Sequence, residues 1–390
     1  MAFKWLPHAR TDWQTFTDAR KEAARLWNDM VVRHQRIRRL NWRWPSRRRW
    51  ERWAKCRYPR LHSQSVQQII GEFDEAIRSA RQLRQKGDLA ARYPWKLHRY
   101  RDVIYTNQAA RIVGGDVILP NGGRKALRVH LPPNLILPGR LIEARVSYGR
   151  VLLVCEVPDE AHPAQTSIGV DLGVNTLIAA TDGDQALLIS GREAKATVQW
   201  CNKRLASLSA KQSHRVKGSR RWKRLQRRKH RMVCKARNRV RDITHKATAI
   251  VREAFPAAAV YVGEPFNDAA RKVGRKQAQQ VSSACNSQLI GQLDYKCSGA
   301  TTVPEPYSSQ TCPVCGCRQR CRRTYTCQQC GYSAPRDVVG ALNILRRGKH
   351  GALVQSTHVP TRITYLRPRC RSSSGGHPAR SSRQREAARF

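Results

Sequence analysis

Two cysteine pairs, Cys312-Pro-Val-Cys315 and Cys327-Gln-Gln-Cys330, stand eleven residues apart. Each pair fits a tight knuckle, and four thiolates so spaced converge tetrahedrally on one Zn²⁺ ion. Gly316 and Gly331 each follow a pair by one residue, where such a turn favours glycine. Four sulfur ligands leave the ion no open position for water, so its expected role is to brace a loop. Cys317 and Cys321 lie in the same stretch. They read as spare thiols, with replacement of a member of the first pair as the alternative. Disulfide pairing is the competing reading of the whole cluster.

Three acids stand at positions that read as structured. Asp171 sits among Ile168, Val170 and Leu172 on a strand, Glu264 ends the apolar run "AAAVYVGE", and Asp337 opens the helix "DVVGALNILRRG" directly after the cysteines. In that helix Ala341, Leu342 and Leu345 face inward, and Gly348 is expected to stop it. A carboxylate on an apolar strand is costly unless a cation or a metal meets it. Three of them at one end of a sheet could hold two Mg²⁺ ions about 4 Å apart, the arrangement that activates water for in-line attack on a phosphodiester. Magnesium takes oxygen ligands, so acids and not cysteines would serve it. Taken singly, each acid has a plainer reading. Asp337 fits a helix cap, Asp171 a turn residue ahead of Gly173, and Glu264 a loop acid ahead of Pro265.

The chain around these residues is extremely basic. Its 390 residues carry 74 Lys and Arg against 27 Asp and Glu, a formal charge of +47. Such an imbalance repels itself unless a polyanion neutralises it, and nucleic acid is the expected partner. No apolar run reaches the roughly 18 residues of a spanning helix, and "MAFKWLPHARTDW" has no signal-peptide core. A reducing cytoplasm follows as the expectation, with the thirteen cysteines as thiols or metal ligands. Residues 194–241 hold eighteen Lys or Arg and no acid, and predict a pair of basic helices broken near Gly218. A solvated face normally mixes signs, so the basic residues of 203–241 are read as a nucleic-acid contact region.

The remaining elements position these parts. Phe16, Ala19, Ala23, Trp27, Met30, His34 and Ile37 repeat at helical spacing. Ser65 with Gln68 reads as the capping box of a second helix through Ile69, Phe73, Ile77 and Leu83. Between them lies "NWRWPSRRRWERWAKCRYP", where Trp and Arg interleave. Those rings either stack on unpaired bases or, as for Trp50 and Trp53, fill a core. From Val103 to Val157 short strands turn at Asn121-Gly122-Gly123 and at Tyr148-Gly149, as in a small antiparallel barrel or sandwich. Pro158 to Gln165 reads as a linker, and the Ser-, Arg- and Gly-rich end as disordered.

The segments "GVDLGVNTLIAATDG", "VYVGEPFND" and "TCPVCG…YTCQQCGYSAPRDVVGALNIL" resemble the three split parts of a RuvC-like nuclease with an inserted zinc ribbon. In that order they are similar to the TnpB proteins of small insertion sequences and the related compact type V CRISPR effectors. "RKEAARLWNDMV", "LHSQSVQQII" and "PYSSQTCPVCG" extend the resemblance. It implies an α+β multidomain chain: a helical recognition region over 1–99, a β-barrel wedge-like domain over 100–158, and an RNase H-like (RuvC) α/β nuclease domain. The nuclease parts would be 166–200, 251–300 and 335–350, with a basic helical region at 201–250, the ribbon at 301–334 and a disordered basic tail at 351–390. It implies Asp171, Glu264 and Asp337 as catalytic Mg²⁺ ligands, and Cys312, Cys315, Cys327 and Cys330 as ligands of a structural Zn²⁺. The implied activity is RNA-guided cleavage of double-stranded DNA beside a short protein-read motif, by a monomer or a homodimer on one guide RNA, in the bacterial cytoplasm at the nucleoid.

The last motif departs from the family. It commonly reads Asp-x-Asn-Ala-Ala and here is Asp337-Val338-Val339-Gly340-Ala341, while Pro335 stands where an acid is often found. Val339 is expected to remove a polar group close to the site. That departure keeps a guide-dependent, repressor-like DNA-binding protein as one alternative. A plain zinc-ribbon RNA-binding protein is the other.

Overall fold

The computed structural model describes residues 10–131, 135–137, 139–147, 150–156, 163–264, 274, 278–280, 285–368 and 383–386. The chain divides into two units, 1–160 and 161–390, and the division falls inside the stretch expected to be a linker.

The first unit contains α1 (Arg10–Arg39), α2 (Arg47–Ala54), α3 (Ser63–Gln85), β1 (Val103–Thr106), β2 (Arg111–Val113), β3 (Asp116–Asn121), β4 (Arg124–His130), β5 (Leu141–Ser147) and β6 (Arg150–Cys155). The helical stripe of α1 is buried from Phe16 through His34 and packs on Ile69, Ile70, Phe73 and Ile77 of α3. The capping box at Ser65 does not form. His62 is the N-cap, its ring accepting from the Gln64 N–H, while Ser65 lies in the first turn and donates its hydroxyl to the Ile104 carbonyl. Trp50 is 2% exposed, so for this ring the core reading holds. Trp53 is only half-buried, with the Arg33 and Arg57 guanidiniums 4.6 and 5.6 Å from its ring centre. The strands form two antiparallel three-stranded sheets, β1-β5-β6 and β2-β3-β4. Both pack into the core built on α1 and α3. No ladder among the described residues closes them into a single barrel. The β3–β4 hairpin turns at Gly122, where φ is +57°; Tyr148 and Gly149 lie outside the described residues.

The second unit contains β7 (Thr166–Leu172), β8 (Thr176–Thr181), β9 (Gln185–Ser190), α4 (Arg192–Ser213), α5 (Arg220–Ala254), β10 (Ala258–Gly263), α6 (Asn286–Lys296), β11 (Ala300–Val303), β12 (Thr324–Thr326), β13 (Ser333–Pro335), α7 (Arg336–His350), β14 (Arg362–Leu366) and β15 (Arg383–Glu386). Its main sheet has the order β11-β10-β7-β8-β9-β14-β15. β7, β8 and β9 form an antiparallel meander, and β10 and β11 run parallel to β7.

The sheet is covered on both faces, which is why its strands read as nearly continuous apolar runs. Strand alternation divides them. Ile168, Val170, Ile178, Leu187, Val260 and Val262 pack on Ile243, Ala247 and Val251 of α5 and on Leu289 and Leu293 of α6. Ala179, Ala186 and Leu188 join Val338 and Ala341 of α7. Asp171, one residue from Val170, therefore belongs to the α7 face.

Two expectations about the end of the chain are corrected. Helix α7 runs past Gly348 to a left-handed C-cap at Gly351, with φ +73°. Gly348 instead lies against the Tyr261 ring, 2.7 Å from Cδ2 to the place of a Cβ. The basic tail is not uniformly disordered from residue 351. β14 pairs in parallel with β9 and in antiparallel with β15. Apolar alternation within "RITYL" was hidden by the Arg-rich stretch around it. Among the described residues, no helix is long and apolar enough to cross a membrane.

Candidate functional site

The contact between β7 and α7 builds the site. Gly169 has no side chain, and a Cβ there would lie 2.6 Å from Leu345 N and 2.7 Å from Leu345 Cβ, and would also strike the Ala341 carbonyl. The helix can rest directly on the strand backbone only because this position is glycine. Two residues on, Asp171 faces the same helix, and a Cβ added at Gly340 would stand 2.8 Å from its Oδ2. Asp337 lies one turn earlier on α7 and accepts a 2.5 Å hydrogen bond from the Thr176 hydroxyl of β8. Thr176 thereby holds one carboxylate oxygen of Asp337 and leaves the other available.

Glu264 follows the last residue of β10. Its backbone N–H donates to the Val303 carbonyl, and its side chain is exposed. Sequence reasoning missed a fourth acid, Glu305, which is half-buried beyond the end of β11. Its Cγ lies 3.4 Å from where a Cβ on Gly263 would be. Asp171 and Asp337 thus approach each other, Glu305 joins them electrostatically, and Glu264 stands at the neighbouring strand end. Among the described residues, only the four cysteines already gather three or more ligand atoms as closely as an ion requires. Carboxylates without a cation repel one another, so looser spacing is what the donor set dictates.

That repulsion is visible in Asp171. Burial, then the Glu305 charge, then the Asp337 charge push its carboxyl up to about 7, against Arg336 and the Leu172 N–H. Burial also raises Glu305, with Arg336 opposing it. A deep set of crowded oxygens with a proton to give up suits a hard divalent cation such as Mg²⁺. A sign follows for pH. A carboxyl raised in the fold favours the folded state fully below its unfolded value of 3.8, and loses that contribution as pH rises to about 7. Asp171→Asn, which cannot ionise, is therefore expected to gain on the metal-free parent as pH rises. The gap should reach on the order of a few kcal/mol above pH 7. Thermal melts in chelator at about pH 5 and pH 8 check this, and an unchanged difference between the two would contradict it.

The ribbon abuts the same helix. Cys312 and Cys330 sulfurs are 3.6 Å apart, and Cys315 and Cys327 sulfurs 3.5 Å apart. All four lie within 4.8 Å of one another. A tetrahedron with bonds of about 2.3 Å has edges near 3.8 Å, so the set is close to the spacing that zinc requires. Burial opposes the Cys327 thiolate, but the Cys330 and Gln329 N–H groups and the Cys315 and Cys330 thiols outweigh it and bring that thiol down to about 6. Cys317 and Cys321 stay outside the cluster, as spare thiols would.

Val339 does not line the acids. It is fully buried with Tyr325, Cys327, Tyr332 and Ala334, so its apolar character fills the ribbon's core. Asn343 donates to the Ser308 and Thr311 carbonyls. The buried Arg346 guanidinium donates to the carbonyls of Pro313, Val354, Ser356 and His358. Helix α7 therefore carries Asp337 at one end and grips the ribbon along its length.

The long basic region forms α4 and α5 as a hairpin broken around Gly218, where φ is +89°. Among its described ion pairs, Arg239 meets Glu193 and Lys246 meets Asp242. Both acids lie outside 194–241, so the stretch offers no internal counter-charge.

Comparison with known proteins bears on these parts separately. The Cas12f1-like TNB domain family matches residues 287–344, and OrfB_IS605, described as a probable transposase, matches residues 151–261. The Escherichia coli K12 protein named "Putative RNA-guided DNA endonuclease InsQ" is 30% identical over 225 residues, covering 52% of this chain and 54% of that protein. A "TnpB-like protein" of Methanocaldococcus jannaschii is 31% identical over 121 residues, 30% of this chain and 29% of that one. The chain thus spans about half the length of the first relative and under a third of the second. In fold it is similar to the Cas12f1 chain of a cryo-EM complex with sgRNA and target DNA. The TM-score is 0.57 at 11% identity, covering 86% of this chain and 83% of that one. In sequence the chain is thus similar to TnpB-like proteins over parts of its length, and in fold it is similar to Cas12f1.

Proposed function

We propose that the chain is an RNA-guided DNA endonuclease that hydrolyses phosphodiester bonds at the sheet end carrying Asp171, Glu264 and Asp337. The observation that carries this reading is the β7–α7 contact, which sets Asp171 beneath Gly340 and crowds it with Asp337. The sheet order supports an RNase H-like (RuvC) fold: a three-stranded meander, β9-β8-β7, extended by two parallel strands, β10 and β11. The names of the relatives point the same way.

Two Mg²⁺ ions at such a site supply charge neutralisation and water activation. Asp171 and Asp337 would hold them from opposite elements, strand and helix. Thr176 fixes the orientation of Asp337. Glu264, at the tip of the adjacent strand, would complete the set. The four cysteines would hold Zn²⁺, which braces the start of α7. Base pairing with the guide RNA would carry sequence, while the protein grips phosphates and reads a short adjacent motif. The excess positive charge of residues 194–241 suits that grip. One copy, or two on one guide RNA, would act in the bacterial cytoplasm at the nucleoid. The first unit would serve as recognition and wedge domains.

The test uses supercoiled plasmid with a matched target, the protein, its co-purified RNA and Mg²⁺. The parent is expected to cut, and Asp171→Ala to abolish cutting while retaining the mobility shift. If Asp171→Ala cuts as well as the parent, the site is elsewhere. If the parent shifts the DNA and leaves it intact, the chain is a guide-dependent binding protein.

A further inference from the structure

Glu305 occupies a built position that the family motif does not account for. The registers place Val262 beside Val170 and Gly263 beside Val303, so Gly263 stands level with Asp171 on the next strand. Gly263 presents no side chain. The place its Cβ would take is 3.4 Å from Glu305 Cγ, 3.6 Å from Glu305 Cδ and 2.8 Å from Ile344 Cδ1. Ile344 lies one turn beyond Gly340 on α7, and Gly340 is the residue over the Asp171 carboxylate. The arm of Glu305 therefore crosses the bare backbone of Gly263 toward the face where Asp171 sits.

Its backbone is held for this. Pro304 and Pro306 flank it and restrict it to extended conformations. Arg347 of α7 donates to the carbonyls of both prolines. Ser308 N–H donates to the Glu305 carbonyl at 3.0 Å. Three hydrogen bonds from two donors thus fix the backbone around this one acid. A carboxylate clamped where it repels Asp171 is unfavourable in the absence of a cation, and the exposed Arg336 is the cationic side chain that opposes this.

We propose that Glu305 is a further carboxylate ligand of the divalent cation on the Asp171 side, reaching it across Gly263. The proposal rests on the nuclease reading above. It assigns the cleft four acids: Asp171, Glu305 and Asp337 on the α7 side, and the exposed Glu264 at the strand tip.

Mn²⁺ is the probe, titrated into the metal-stripped full-length protein without nucleic acid and followed by electron paramagnetic resonance. Glu305→Gln is expected to weaken Mn²⁺ binding about 10- to 100-fold. It should raise the Mg²⁺ concentration for half-maximal plasmid cleavage by a similar factor, with cutting recovered at high Mg²⁺. Glu305→Asp, which keeps the charge on a shorter arm, is expected to fall between parent and Gln. Parent-like Mn²⁺ affinity and Mg²⁺ midpoint in Glu305→Gln would overturn the proposal, as would an Asp variant no better than Gln. Asp171→Asn separates the two readings. If it loses Mn²⁺ and cutting while Glu305→Gln loses neither, only the role of Glu305 fails. If Asp171→Asn changes nothing, the nuclease reading fails with it.

Discussion

Cys312→Ser is expected to cost the chain its zinc and, with it, nearly all DNA cutting. The ribbon has little else to hold it. Among the described residues its one ladder joins two three-residue strands, β12 and β13, beside a single bridge between Thr311 and Arg318. Its buried apolar cluster is small: Tyr325, Tyr332, Ala334 and Val339 around Cys312 and Cys327. A two-stranded ribbon of that size is marginal in water, and modules this short usually need metal or disulfides to fold. Structural zinc sites supply about 10–16 kcal/mol at neutral pH, far more than the remaining contacts. Cys312 is the most buried of the four ligands, at 1% exposure, and a serine there offers a poor zinc ligand in a space shaped for sulfur.

The consequence reaches the acids through covalent continuity. β13 ends at Pro335, α7 begins at Arg336, and Asp337 is the next residue. Unfolding the ribbon removes both carbonyls that Asn343 binds and the Pro313 carbonyl that Arg346 binds, leaving a buried amide without its acceptors. The first turn of α7 then loses its anchor, and Asp337 its fixed distance to Asp171. Metal analysis of the purified variant should give no zinc where the parent gives one, and the plasmid assay should show little cutting. Cys317→Ser and Cys321→Ser, outside the cluster, should keep both. Full cutting by a zinc-free Cys312→Ser would sever the ribbon from the site.

How far the sequence disclosed this site depends on what kind of feature each part is. Asp171 was legible because a charge among Ile168, Val170 and Leu172 breaks an apolar pattern. The cysteines were legible because ligand spacing is local. Glu305 was not: between two prolines it reads as an ordinary loop acid, and only the parallel pairing of β10 with β11 brings it beside Gly263. Glycine roles were hidden for a related reason. Gly348 follows an apolar run as a stop signal does, yet it is needed for contact with Tyr261, which is distant in sequence. Val339 looked like a lost polar group at the acids because its number is close to 337. A rotation of about 200° over those two helical residues turns it to the ribbon instead. Strand β14 was masked by the arginines around it, since its partner β9 lies far back in the chain.

Gly169→Ala should be the most damaging single methyl in the second unit. The added Cβ meets backbone on the facing helix: the Ala341 carbonyl, Leu345 N at 2.6 Å and Leu345 Cβ at 2.7 Å. None of these is the movable end of a flexible side chain, so the strand and helix must separate. Overpacking typically costs about 1–3 kcal/mol, and more where backbone must move, as here. The functional loss should exceed the loss of stability. Asp171 is two residues along the same strand, and Gly340 and Asp337 lie on the same helix. A shift of about 1 Å between those elements is enough to cost roughly 100-fold in a positioned reaction. The expected result is a folded variant with a lowered melting temperature, intact zinc, retained DNA mobility shift and cutting reduced at least about 100-fold. Gly191→Ala serves as the comparison. Its Cβ would lie 2.5 Å from the Val174 carbonyl, a turn backbone, and so would also destabilise the unit. Its nearest neighbours are the backbones of Val174 and Leu177 rather than of α7, so any loss of cutting beyond its stability would pass through Thr176 and should be smaller. Equal losses in the two variants would mean that the β7–α7 spacing does not govern the chemistry.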